Sequence, residues 1–260
     1  AQLRNVASEV RTNDLTHAQI ADLYYENLPE PKAVPSGGEF WLYDKAAFVW
    51  RRYDISKVAA EIGQSFTDQK TCKKHNDYKG ISQHLYDTRV DEGFFSDAPH
   101  GIMAADGFYR LIDGKVVRET PSSNHRAKFA LSVQPDFQSV PVLFIETLTE
   151  GFTPSQEQLA NLVENGFYAN LDQAGFGQFS DVKAQLTNLQ MAFGGTLFGL
   201  MTRDEKAVFL YGAAGSFKSK TIKILQALVD KDATCSVAPL DIDSVYDRSF
   251  LAKKQLIVVP

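Results

Sequence analysis

Apolar positions along the first 100 residues alternate between helical and strand spacing. Within residues 15–28, Ile20, Leu23, Tyr24 and Leu28 recur at the period of a helix, and Pro29 and Pro31 close the segment, which predicts a short helix. Two aromatic-rich runs, residues 40–43 and 48–53, flank a polar Asp44-Lys45 turn and predict a β-hairpin. Asp54 or Ser56 then caps a helix that runs to about Ile62. Residues 67–93 are polar, with Ile81, Leu85 and Tyr86 marking one more helix that ends before Gly93. Turn signals at Asp106-Gly107 and Asp113-Gly114, set among Phe108, Leu111, Val116 and Val117, predict a second hairpin, and residues 128–137 add a strand.

The second half begins with a capping pattern. Thr153 is the expected cap, Pro154 takes the first helical position and Gln156 lies three residues after the cap, with Leu159, Leu162, Val163 and Phe167 as the buried face. A glycine-rich link, AGFGQ, leads to Ser180 and Asp181, which cap a longer helix to about Leu200. The C-terminal half of that helix, MAFGGTLFGLM, is almost wholly apolar and is expected to be buried. Beyond Asp204 the pattern changes to an apolar strand at 207–211, a loop of small residues, and a helix from about Lys218 carrying Ile222, Ile224, Leu225 and Leu228. A domain boundary is expected between about 175 and 204, dividing the chain into residues 1–190 and 191–260.

Composition adds bounds rather than chemistry. The 260 residues, 44% hydrophobic and 23% charged, suit an ordinary globular protein, and two domains fit that length. A net charge of −5 argues against coating nucleic acid through bulk charge. Cys72 and Cys235 stand far apart, His17, His75, His84, His100 and His125 show no metal-ligand spacing, and neither a disulfide framework nor a zinc site is legible. No apolar run reaches the roughly 18 to 20 residues of a membrane span, and the N-terminus lacks a signal-peptide pattern, so a soluble, cytoplasmic protein is expected. The first residue is not Met and QLIVVP stops inside an apolar run, which reads as a chain excised from a longer one.

The strongest chemical signal is LYGAAGSFKS, residues 210–219. A phosphate loop reads G-x-x-x-x-G-K-[ST] between a strand and a helix, because unpaired backbone N–H groups and the helix dipole then face the phosphates. Gly212 is the first glycine. Ala213, Ala214, Gly215 and Ser216 form the turn, Lys218 reaches the β- and γ-phosphates, Ser219 supplies a hydroxyl to Mg²⁺, and Lys220 follows. Phe217 occupies the position of the second glycine, where the dihedrals and close backbone approach favour a residue without a side chain. Read alone, AGSFKSKT also fits a polar strand-to-helix connection with a Ser cap.

Taken with its surroundings, this loop resembles that of superfamily 3 helicases of phage and plasmid primase-helicases, which reads L-hydrophobic-G-x-G-x-N-G-K-S. Leu210, Tyr211, Gly212, Lys218 and Ser219 match, while Ala214, Ser216 and Phe217 depart from it. FWLYDKAAFVWRR is similar to the aromatic hairpin of the family's helicase-associated domain, and the segment from GIMAADGFYRLIDGKVV to SVQPD to its next hairpin and strand. LQMAFGGTLFGLM resembles the apolar helix before the motor, and APLDIDSVYDRSFLAKKQLIVVP the run toward the acidic strand. The resemblance implies an α+β N-terminal domain followed by a partial α/β P-loop NTPase domain of AAA+-like type. It also implies ATP and Mg²⁺ as cofactors, a hexameric homo-oligomeric ring, single-stranded DNA as partner, and DNA replication in a phage, plasmid or genomic island, within a bacterial host or virus-infected cell. The acidic catalytic residue and the arginine finger are expected beyond Pro260, so the chain is expected not to hydrolyse ATP alone.

Two other classes stay open at this point. One is a non-catalytic DNA- or protein-binding adaptor with a degenerate loop, and the other a small-molecule kinase of the P-loop class. Arg51, Arg52 and Tyr53 beside Trp41 and Trp50 offer cations and rings of the kind that grip single strands, or else a hairpin core. Asp241 and Asp243 form a pair able to hold Mg²⁺ or to line one solvated face, and Lys73-Lys74 and Lys253-Lys254 read as solvated charges.

Overall fold

A computed structural model describes residues 15–136, 138–153, 155–166, 170–200, 207–208, 210, 217–229, 231–238, 251 and 254–259. These residues form a mixed α+β protein of seven helices and small sheets. Contacts divide the chain into two compact units, residues 1–99 with 120–130 and residues 100–119 with 131–260.

The first unit follows the apolar pattern closely. Helix α1, His17–Glu26, opens on a capping box in which the Thr16 hydroxyl accepts from the Gln19 N–H and Gln19 Oε1 accepts from the Thr16 N–H. Strands β1, Val34–Ser36, β2, Glu39–Asp44, and β3, Val49–Tyr53, form an antiparallel sheet in that order. Asp44 Oδ1 accepts from the N–H groups of Ala46 and Ala47 at 2.9 and 3.2 Å, an Asx turn that pairs Tyr43 with Trp50. Asp54 caps helix α2, Ile55–Ser65, through the Ser56 N–H at 2.6 Å, and helix α3 spans His75–Arg89.

Where these elements meet, Ile20, Tyr24, Phe40, Ile62, Ile81 and Leu85 are sealed from solvent. Burying each such side chain contributes roughly 1.5 to 3 kcal/mol. At the edge of this core the Glu61 carboxylate accepts from Tyr24 Oη at 2.5 Å and from Tyr53 Oη. Burial and the carboxylate push the Tyr53 phenol up to about 12, and Tyr24, more deeply buried, is raised further.

In the second unit, strands β4, Ile102–Ala104, β5, Gly107–Ile112, and β6, Lys115–Glu119, make the expected hairpin. Asp113 and Gly114 both take positive φ, 50° and 74°, as a two-residue loop of I′ type requires. Only its base is buried. Phe108 and Tyr109 face a core, while Leu111, Val116 and Val117 are exposed at the far end. No strand forms over the described part of 128–137: Leu131 makes an isolated bridge to Val229, and Pro135, which has no N–H to give a ladder, is followed by a turn in which Asp136 accepts from Gln138 and Ser139.

The helical part departs further from expectation. Helix α4, Val142–Phe152, lies in a segment for which no helix was expected. Thr153 closes α4, its N–H donating to Thr149 O, rather than opening the next helix. Helix α5, Gln156–Glu164, begins instead after Ser155, whose carbonyl accepts from the Leu159 N–H at 3.0 Å; Pro154 and Phe167 lie outside the described residues. Helix α6, Leu171–Leu197, runs unbroken through Gly175 and Gly177, the expected link, and through Ser180 and Asp181, the expected caps. Each interior glycine costs about 1 kcal/mol relative to Ala, which the neighbouring turns and packing on α4 and α5 outweigh. Its apolar end is not buried: Met191 is 62% exposed and residues 192–200 are half-buried, while Val182 and Leu189 carry the burial. The division after residue 190 falls inside α6.

Helix α7 spans Lys218–Leu228, as expected, and strands β7, Thr234–Ser236, and β8, Leu256–Val258, pair in parallel. QLIVVP thus contributes a strand. The strand expected at 207–211 does not form at Ala207, Val208 or Leu210, and Val208 is 48% exposed. Among the described residues no strand pairs with them.

Candidate nucleotide site at the head of helix α7

Gly212, Ala213, Ala214, Gly215 and Ser216 lie outside the described residues, so the site is built from Phe217 onward. Phe217 is the N-cap of α7, at φ 55° and ψ 2°. This left-handed conformation is the one glycine adopts without cost, and a side chain raises it by about 1 to 2 kcal/mol. The position where the loop pattern wants glycine therefore has a backbone that favours glycine. What holds the ring there is a close fit: a Cβ added to Gly151 of α4 would stand 2.9 Å from Phe217 Cγ and 3.2 Å from its Cβ. Lys220 completes the packing with its ammonium 4.7 Å from the centre of the Phe217 ring.

Lys218, Ser219 and Lys220 form the first turn of α7. The first intrahelical bond is donated by the Thr221 N–H to Phe217 O at 2.9 Å, and the N–H groups of the first turn face the N-terminal end of the helix. Phe217 makes no side-chain cap and the first turn holds no acidic residue. Ser219 and Lys220 are exposed and Lys218 is half-buried. Two lysines, a hydroxyl and a helix N-terminus suit a polyphosphate. Ser219 can give Mg²⁺ one oxygen, the rest coming from phosphate and water. Among the described residues no group of three His, Cys, Asp or Glu could hold a metal by itself.

The aromatic hairpin of the first unit resolves differently from a stacking platform. Trp41 and Trp50 are 7% and 3% exposed, and their indole N–H groups donate to Ser36 O and Ser123 O. Phe95 stands edge-on to Trp41 at 4.6 Å and Phe94 to Trp50 at 5.0 Å. The Lys128 ammonium lies 5.2 Å from Trp41 and 4.2 Å from Phe95, Arg52 lies 5.4 Å from Trp41, and Arg126 covers Phe94 at 4.8 Å. Burial, helped by Arg52, pulls the Lys128 ammonium below the ordinary lysine value. These cations cap a ring core and leave the tryptophans no open face for a base. Phe94, Phe95, Arg126 and Lys128 escaped the sequence reading; the Phe-Phe pair after Gly93 was the one signal of them.

The remaining candidates are dispersed. His17 Nε2 lies 3.0 Å from Thr71 O, and His125 Nδ1 accepts from the Ser122 N–H. Cys72 and Cys235 are both free thiols. Arg51 is half-buried near Asp44 at 3.8 Å, and Tyr53 is held by Glu61. Asp241, Asp243 and Lys253 lie outside the described residues. No described helix is long and apolar enough to cross a membrane. No protein-family model and no curated protein matches the chain.

Proposed function

We propose that the chain carries the phosphate-binding loop of a superfamily 3-type ATPase, within a primase-helicase of a phage, plasmid or genomic island. Lys218 and Ser219 bind the phosphates and Mg²⁺ of ATP, and the protein works in the cytoplasm as a homo-oligomeric ring on single-stranded DNA. The observation that carries this reading is the backbone of Phe217. A left-handed residue directly before Lys218, at the head of a helix with no acid in its first turn, is what a G-K-S terminus asks for, although the side chain there is not glycine. The parallel β7–β8 pair adds support, since parallel strands need a long crossover of the α/β kind.

The adaptor reading is favoured by two observations. Phe217 fills the glycine position, and Ala207, Val208 and Leu210 form no strand before the loop. Calorimetric titration of the chain with MgATP separates the two: the ATPase reading gives saturable binding that Lys218→Ala abolishes, and the adaptor reading gives none.

A further inference from the structure

We propose that helix α4 of one copy of this chain docks in trans into the groove between α2 and α3 of a second copy. The groove measures about 800 Å³. Its floor on α2 includes the small residues Ala59, Ala60 and Gly63, and its rim carries Lys79 on α3 and Lys73 two residues before that helix, both exposed. No carboxylate lines it. It is shaped for a rod with apolar knobs and acidic flanks.

Helix α4 has those properties. Val142, Leu143 and Ile145 are 55%, 78% and 42% exposed, and Val140, just before the helix, is 67% exposed. Glu146 and Glu150 are exposed beside them, and the helix contains no Lys or Arg. Leu148 alone of its aliphatic side chains is turned into its own unit. With 11 residues each, α4 and α2 are both about 16 Å long, so the helix matches the floor from end to end. Apolar side chains this exposed within six positions mark a surface that binds something.

A nucleic-acid strand fits the groove less well. Tyr78 in its lining already lies with its ring against Gly63, where an added Cβ would be 3.1 Å from Cδ1, and it meets the His75 ring nearly at right angles at 5.3 Å. One face of the Tyr78 ring is thus closed to a stacking base. Groove and helix are different surfaces of the same chain, so two copies can exchange the contact reciprocally as a dimer, or pass it head to tail into a ring or filament. It needs no nucleotide and stands independently of the function proposed above.

Sedimentation velocity of the full chain without nucleotide, over a wide range of concentration, tests this. Wild type is expected to self-associate, and Lys73→Glu/Lys79→Glu to weaken that association about tenfold. Glu146→Lys/Glu150→Lys is expected to do the same, while mixing the two charge-reversed chains restores association. Leu143→Asp abolishes it. All five positions are exposed, and circular dichroism melts check that each variant folds. Monomers at every concentration, association indifferent to charge reversal, or lysine-dependent binding of labelled oligo-dT without self-association would each overturn the proposal. MgATP titration of Lys218→Ala reads the nucleotide claim separately.

Discussion

The Phe217 ring lies against Gly151, so close that a Cβ on that glycine would come within 2.9 Å of Phe217 Cγ. The contact ties the head of α7 to α4 and offsets the left-handed backbone that Phe217 must hold. Gly151→Ala is therefore expected to destabilise the wild-type chain by about 1 to 3 kcal/mol through overpacking. With Phe217→Gly already in place the same substitution should stabilise, by about 1 kcal/mol, as Gly→Ala does inside a helix. Urea denaturation of the two single variants and the double variant checks this sign reversal. Additive effects would mean the ring does not rest on α4.

Phe217→Gly also restores the residue that the loop pattern asks for. Relieved of the ring and of its backbone cost, the loop is expected to bind MgATP more tightly than wild type, by up to about tenfold. Isothermal titration of both proteins measures the difference. Equal or weaker binding would show that the ring is not what limits the site.

Glu61, held between two phenols, makes stability depend on alkaline pH. The ordinary tyrosine value is 10.0, Tyr53 is raised to about 12 and Tyr24 is raised as well. The folded protein keeps protons that the unfolded chain gives up, so this contribution is intact below about pH 10 and declines as pH rises from 10 through 12. Chemical denaturation between pH 9 and pH 12 (about the limits of that window) should show a steady fall for wild type. Glu61→Gln, which leaves the rise due to burial and removes the part due to the carboxylate, should start less stable and fall less steeply. Parallel curves would count against the paired hydrogen bonds.

Tryptophan emission reports on the hairpin. Since Trp41 and Trp50 are buried and capped by Arg52, Lys128 and their phenylalanine neighbours, oligo-dT is expected to leave their fluorescence unquenched even where the chain binds DNA, and acrylamide should quench weakly. Strong quenching by the oligonucleotide would place a base on one of these rings.

Local chemistry explains how much of this was legible beforehand. Elements carried by a cap, a turn or a strict period were readable: the Thr16 box, the Asp44 turn, the Asp54 cap, the Asp113-Gly114 loop and the start of α7 all stand where residue types demand. Elements decided by long-range packing were not. Helix α4 carries a run of apolar residues without a helical stripe, because its exposed face is as apolar as its buried one, and α6 overrides two glycines that read as a link. The strand at 207–211 was expected from composition alone, and a strand needs a partner that no local pattern supplies. At the nucleotide site, the spacing of Lys218 and Ser219 was plain, and so was the conflict at Phe217. That Gly151 makes room for the ring was invisible, since 66 residues of chain separate the two.

Whether the head of α7 binds the phosphates of ATP is decided by titrating the full chain with MgATP beside Lys218→Ala. Because Lys218 is half-buried, a thermal melt of the variant checks that it folds as wild type does. Saturable binding is expected for wild type and its loss in Lys218→Ala. Identical heats for the two proteins, or no binding by either, would contradict it.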